Sequence, residues 1–211
     1  MKEVDQTLAY YRHHADLIFG QTWGNREPEA VELFRSELRT GARVLDAGSG
    51  SGWALRELRR AGLQPVGIEG ADALAEKARE ATQEEVRCQN LLFFSPSAGE
   101  WDGIWAHRLI HHLPPAGAQR LLGSFFQGLR PGGILFLSSD FSTSHREPNT
   151  PPAPVPDFLD SAPELIQYFF HYSEDELGSL LRQSGFQALK FGKKPTNSGF
   201  CGAWLARRLG G

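Results

Sequence analysis

Apolar positions along the chain change rhythm near residue 40, from helical stripes to an exchange of short apolar runs and stripes. The spacing predicts a helix over Val4 to Phe19, rich in aromatic residues and histidine (Tyr10, Tyr11, His13, His14). A loop of Gly, Trp and Asn follows, and then a helix from Pro28 to Leu38. Pro28 suits its first turn, and Val31, Phe34 and Leu38 share one face. After that the elements alternate. Arg43–Asp46 reads as a strand, Gly48–Gly52 as a turn, and the next stretch as a helix with Ala54, Leu55 and Leu58 inward. Pro65–Glu69 is a second strand, followed by a helix over Asp72–Thr82 carrying Leu74, Ala75 and Ala78 on one side. Val86–Asn90, Gly103–His107 and Gly133–Ser139 read as three more strands. Ahead of the last, Leu121, Leu122, Phe125, Phe126 and Leu129 repeat at helical spacing until Pro131-Gly132-Gly133 stops the helix.

Strands alternating with helices imply an α/β fold, a parallel sheet covered on both faces. Such sheets take ligands at the carboxyl ends of their strands, near the point where strand order reverses. Those ends here carry Asp46 and the glycine turn, Glu69, Asn90 and His107. From Phe141 to about Pro163 the periodicity is replaced by Pro, Ser and Thr, in a segment too long for an ordinary connection. It reads as a cover for the site or as a mobile loop. A last helix opens at Ser173, whose spacing to Glu176 makes a capping box, and closes at Gly185. Gln187–Phe191 and Phe200–Arg207 complete a set of seven strands. The expected organisation is one domain. It has a helical cap (1–39), a core (40–140), a lid (141–172), and a final helix with two strands (173–211).

Charge narrows the partners. With 22 Lys and Arg against 25 Asp and Glu, the net charge is −3, and the cations are scattered. A binder of nucleic acid needs a basic stripe to displace counterions, so nucleic acid is not the expected partner. No apolar run approaches a membrane span, and the polar start is unlike a signal peptide. Cys88 and Cys201 lie in apolar, strand-like contexts and are expected to be buried thiols, too few for a disulfide framework or a zinc site. A reducing cytoplasm fits this usage.

The chemical signal is Val44-Leu45-Asp46-Ala47-Gly48-Ser49-Gly50-Ser51-Gly52. Glycines after a strand let the backbone turn sharply and approach a ligand without a Cβ in the way. A dinucleotide fingerprint, G-x-G-x-x-G, would put its third glycine where Trp53 stands. That residue, and the lack of a Tyr-x-x-x-Lys pair, oppose a nicotinamide oxidoreductase. The turn resembles the first motif of the class I S-adenosylmethionine-dependent methyltransferases. Val66-Gly67-Ile68-Glu69, Trp101–Ala106 with Leu109–Pro114, and Leu129–Leu135 resemble later motifs of the same family. The resemblance implies a Rossmann-like three-layer sandwich with a mostly parallel seven-stranded sheet, and S-adenosyl-L-methionine as cofactor. By the same resemblance Asp46, Gly48, Ser49, Gly50, Gly52, Glu69, Gly70, Asn90, Leu91 and His107 surround that cofactor. Glu69 would accept hydrogen bonds from the ribose hydroxyls. Asn90, with Gln89 as the lesser alternative, stands where the family often has an aspartate bonding the adenine amino group, and an amide oxygen can accept that bond. Tyr11 is assigned to the cofactor side, because in many relatives the first helix closes over the cofactor.

Methyl transfer asks the protein to align acceptor, methyl carbon and sulfur and to exclude water. A hydroxyl or protonated nitrogen also needs a base, and histidine suits that task near neutral pH. His111 and His112 are the expected catalytic residues. The cluster His107, His111 and His112 has no carboxylate or cysteine at ligand spacing, so no metal is assigned. Tyr168, Phe169, His171 and Tyr172 are expected to wall an acceptor pocket. The chain lacks the Asn/Asp-Pro-Pro-Tyr/Phe motif of amino-methylating DNA enzymes and the Pro-Cys nucleophile of cytosine-C5 enzymes. A small-molecule acceptor is therefore expected. A binding module that holds the cofactor without turnover is the alternative.

Overall fold

The computed structural model describes residues 2–142, 153–155, 165–196 and 199–210. The N-terminal region holds α1 (Lys2–His13), α2 (Ala15–Thr22) and α3 (Pro28–Ser36). The alternating core follows as β1 (Arg43–Ala47), α4 (Trp53–Arg60), β2 (Gln64–Glu69), α5 (Asp72–Thr82), β3 (Val86–Cys88) and β4 (Trp101–Ala106). Then come α6 (Pro115–Gly128) and β5 (Leu129–Ser142), and the short strands β6 (Ala153–Val155) and β7 (Gln167–Phe169). The chain closes with α7 (Glu174–Gln183), β8 (Phe186–Thr196) and β9 (Gly199–Arg208).

Seven strands form one sheet in the order β3-β2-β1-β4-β5-β9-β8. The first five run parallel, and β9 pairs antiparallel with both β5 and β8. Side chains alternate across it, as the pleat requires. Leu45, Ile68, Ile104 and Leu135 pack on one face with Leu121 and Phe125 of α6 and Leu177 and Leu181 of α7. Val44, Trp105, Phe136 and Leu205 pack on the other with Phe34 of α3 and Trp53 and Leu58 of α4. The result is the Rossmann-like three-layer arrangement that the resemblance implied. Strand order reverses between β1, which pairs with β2, and β4, which also pairs with β1. A crevice opens at their carboxyl ends.

Several boundaries differ from the sequence reading. The expected first helix is two helices, broken at His14 (φ −98°, ψ 23°), so that α2 turns to pack beside α5. β3 stops at Cys88, because Asn90 leaves the sheet to cap a 3-10 turn over Leu91–Phe93. β6 and β7 form an antiparallel ribbon inside the segment expected to carry no elements. The rest of the expected lid, 143–152 and 156–164, lies outside the described residues. Cys201 is buried, but Cys88 is exposed at the edge of the sheet, against expectation. The capping box of α7 is present with both bonds, Ser173 accepting from Glu176 N–H and Glu176 accepting from Ser173 N–H.

Candidate functional site

A cavity of about 550 Å3 occupies the crevice. Its floor is the turn after β1. Gly48 and Ser49 donate their N–H groups to the carbonyl of Ile68 on β2 at 2.8 and 3.0 Å, which pins the turn to the neighbouring strand. Gly50 then exposes its backbone to the cavity: it has φ +54°, and a Cβ added to it would meet no atom within 4 Å. Gly52 serves a different end. A Cβ there would sit 2.9 Å from Thr82 and 3.2 Å from Ala78, so this glycine lets the turn pack against α5.

Glu69 ties the first two strand ends together. One carboxylate oxygen accepts the Gly50 N–H at 2.9 Å and the other accepts the Ala71 N–H at 2.9 Å. Burial pushes its pKa up, and these backbone donors oppose the rise. A carboxylate has about four acceptor positions, so capacity remains for two hydroxyls. Asp46 is also buried, with Oδ2 lacking a partner among the described residues. Desolvation, and the nearby Glu69 charge, push it up to about 8.

The opposite wall comes from the chain after β4. Arg108 adopts a left-handed backbone (φ 52°), unusual for a residue with a side chain. Its N–H donates to Ser138 O and Oγ at 3.1 and 3.0 Å, and its guanidinium pairs with Asp140, with Nε–Oδ2 at 2.9 Å. His111 is 4% exposed, and its Nδ1 has no hydrogen-bond partner among the described residues. Burial drives its pKa well below the ordinary histidine value, so it stands neutral. His112 is committed on both nitrogens. Gln167 donates to the Tyr11 hydroxyl at 2.7 Å, and that hydroxyl lies 3.1 Å from His112 Nε2. Nδ1 of His112 faces the Tyr168 carbonyl at 3.3 Å. Burial lowers its pKa to about 4.

These contacts knit the cover. Tyr168 N–H donates to Thr7 Oγ1 on α1 at 3.0 Å, and Phe170 N–H donates to the carbonyl of His111 at 2.7 Å. Tyr11, Gly48, Ser49, Gly50, Glu69, Gly70, Asn90, Leu91, His107, His111 and His112 all line the cavity. Asp46 and Gly52 are not among the lining residues: Asp46 is buried at the end of β1, and Gly52 packs against α5. The amide oxygen of Asn90 already accepts the Leu92 N–H at 2.9 Å. Of the expected aromatic wall, Phe169 and His171 reach the cavity. Tyr172 is buried in the core, where its hydroxyl donates to the Leu113 carbonyl at 2.6 Å. Phe141 and Phe170, from the segment expected to cover the site, line it too, while Arg108 and Asp140 line the cavity and were not anticipated. Nothing in an Arg after a strand or an Asp at the end of the next marks them as neighbours.

Comparison with known proteins decides the family. A family described as a methyltransferase domain matches residues 12–190. The chain belongs to the class I S-adenosylmethionine-dependent methyltransferases. It is 32% identical over 172 residues to a ubiquinone biosynthesis O-methyltransferase of Xanthomonas axonopodis pv. citri, covering 76% of this chain and 69% of that one. Among solved structures it resembles a methyltransferase from Methanosarcina mazei (TM-score 0.74, 22% identity, 88% of this chain and 99% of that chain). It also resembles a Burkholderia thailandensis 1,6-didemethyltoxoflavin N1-methyltransferase, solved with 1,6-didemethyltoxoflavin and S-adenosylhomocysteine (TM-score 0.71, 19% identity, 98% and 88%). As a member of this family the chain is a methyltransferase enzyme, and the reaction class that the glycine turn implied is established.

Proposed function

We propose that this methyltransferase acts on a small molecule, on an oxygen atom, with its cofactor laid across the Gly48–Gly50 turn and Glu69. The observation that carries the reading is one cavity joining that turn to the His111, Phe141 and Phe169 wall. Its volume falls within the range of about 300–1,000 Å3 usual for small-molecule sites. The residues fit S-adenosylmethionine. Gly50 leaves open space where a ligand backbone contact belongs, and Glu69 keeps acceptor capacity for ribose hydroxyls. When bound, this cofactor supplies a methyl group on a sulfonium. Gly48, Ser49 and Gly50 would hold it, Glu69 would fix its ribose, and Asn90 and Leu91 would flank the adenine. The oxygen preference is supported by the O-methyltransferase relative, which shares sequence over most of this chain.

Phe141, Phe169 and Phe170 give the acceptor end an apolar lining that excludes water from the reacting atoms. The orphan nitrogen of neutral His111 supports a role in orienting the acceptor by a hydrogen bond. Calorimetry with S-adenosylhomocysteine tests the cofactor half. A panel of hydroxylated small molecules, scored by methyl incorporation from labelled cofactor, tests the acceptor half. Methylation confined to N–H or thiol compounds would refute the oxygen assignment.

A further inference from the structure

Methyl transfer to a neutral hydroxyl or amine leaves a proton to be placed, and four histidines line the cavity where that proton appears, of which His171 is exposed to solvent. Of the other three, two are poorly suited to receive it. His112 has both ring nitrogens in contacts that bind the cover to the turn after β4. His111 has no carboxylate partner among the contacts described, and its burial disfavours the charged ring. His107 is different. Its Nε2 lies 3.3 Å from Oε1 of Glu27, a close contact whose angle is bent from that of a full hydrogen bond.

Glu27 is unusual in its own right. It stands at the N-cap of α3, where an acidic side chain ordinarily accepts from the first free N–H groups, yet it makes no capping bond. Its carboxylate turns instead to His107 and to Lys194 of β8, at 3.3 and 2.7 Å. Burial opposes its charge, but His107 and Lys194 outweigh burial and hold its pKa down at about 2. The His107 ring is fixed in turn. It lies parallel to Trp105 and edge-on to Trp53, with centroids 6.1 and 5.2 Å away.

We infer that His107 is the proton acceptor of the methyl transfer, oriented by Glu27, and that the enzyme's acceptors are small molecules whose nucleophilic atom carries a proton. This rests on the small-molecule reading above. A carboxylate at Nε2 selects the tautomer protonated there and leaves the Nδ1 lone pair as the base. As the acceptor's oxygen bonds to the methyl carbon, the methyl–sulfur bond breaks and the acceptor's proton passes to Nδ1. Glu27 balances the imidazolium, which afterwards returns the proton to water. Glu27 acts here as a positioning residue. Glu27 is paired with the ring and Lys194 with Glu27, and the charged and titratable groups that share the cavity with His107 are Arg108, Asp140, Glu69, Tyr11, His111, His112 and His171.

Histidine ring NMR on 15N-labelled protein tests this without any acceptor, with His107→Gln supplying the assignment. In the wild-type protein the neutral ring, recorded at high pH, should be protonated at Nε2. Glu27→Gln should lose that preference and give a mixture of tautomers, and Lys194→Met, which leaves the carboxylate in place, should keep it. A neutral His107 protonated at Nδ1, or a tautomer that Glu27→Gln leaves unchanged, overturns the assignment. Thermal melting shows whether each variant is folded, and the wild-type tautomer decides the matter if Glu27→Gln is not. Calorimetry with S-adenosylhomocysteine on the wild-type protein separates the two levels. Its failure to bind would sink the methyl-transfer site itself, whereas binding together with the wrong tautomer would sink only the role of His107.

Discussion

The Tyr11 hydroxyl donates to Nε2 of His112 at 3.1 Å across 101 residues of chain, a direction set by the histidine's other nitrogen. Nδ1 faces the Tyr168 carbonyl, which can only accept, so the neutral ring carries its proton there and offers a lone pair at Nε2. Gln167 donates to the same hydroxyl oxygen, which has lone pairs to accept it. Three separate segments, α1, the turn after β4 and β7, are joined by one set of compatible donors and acceptors.

Tyr11→Phe removes the shared oxygen and leaves His112 Nε2 and the Gln167 amide unmatched. The expected loss of stability is about 1–3 kcal/mol, read by urea unfolding. Amide exchange should speed up in α1 and over 167–170 while the parallel core stays protected. Uniform exchange across the protein would show that the contact does not hold the cover.

Gly50 and Gly52 should separate under the same substitution. Gly50→Ala places a Cβ in the cavity at φ +54°, at a backbone cost of roughly 1–2 kcal/mol. It should fold and lose at least about tenfold in S-adenosylhomocysteine affinity, which is about 1.4 kcal/mol. Gly52→Ala presses on Thr82 and Ala78, so its main effect should be a lower melting temperature from the α4–α5 contact. Equal affinity losses in the two variants would contradict this division.

Asp46 makes a signed pH prediction. Its carboxyl titrates near 8 in the fold and at the ordinary carboxylate value when unfolded, so between those limits the native state holds the extra proton. Its contribution to stability is complete below the unfolded pKa and is lost as pH rises towards 8. Asp46→Asn should remove that slope and make the protein more stable than wild type at pH 8. Melting curves from pH 5 to 9 check it; parallel slopes in both proteins would contradict it.

His111→Phe tests the orphan nitrogen. Replacing a buried polar group without a partner by an apolar ring should leave stability unchanged or raise it by about 1 kcal/mol. Methyl transfer to the acceptor found by the panel should fall, since the hydrogen bond to that acceptor is lost. A variant with undiminished turnover would remove His111 from the site.

Much of this was legible in the chain. Between Arg43 and Ser139 each apolar run became a strand of the sheet, because a parallel strand buried on both faces has few other compositions open to it. The turn and Glu69 were readable for a related reason: a glycine cluster after a strand and an acidic residue at the next strand's end have few structural uses together. What escaped was everything that depends on distant partners. Gly52 reads as one more glycine of the turn, and only the fold shows that its missing side chain makes room for Thr82 and Ala78 of α5. Glu27 reads as an ordinary helix start, and only the fold brings His107 and Lys194 to it. Arg108 gives no local sign of its left-handed backbone, which Ser138 and Asp140 impose from the adjacent strand.

The position of β9 has a consequence for how the molecule is made. It follows every other strand of the sheet in sequence but lies inside it, between β5 and β8. During synthesis the ribosome must therefore release residues 199–208 before β5 gains its antiparallel neighbour. Until then the N-terminal segments can assemble a five-stranded parallel sheet with an open flank, where Asp140 and Phe141 await Cys201 and Phe200. A nascent chain stalled near residue 196 would hold every residue that lines the cavity and still present β5 as a bare template for other chains. Aggregation during translation, rather than lost chemistry, is the expected fate of such truncated products.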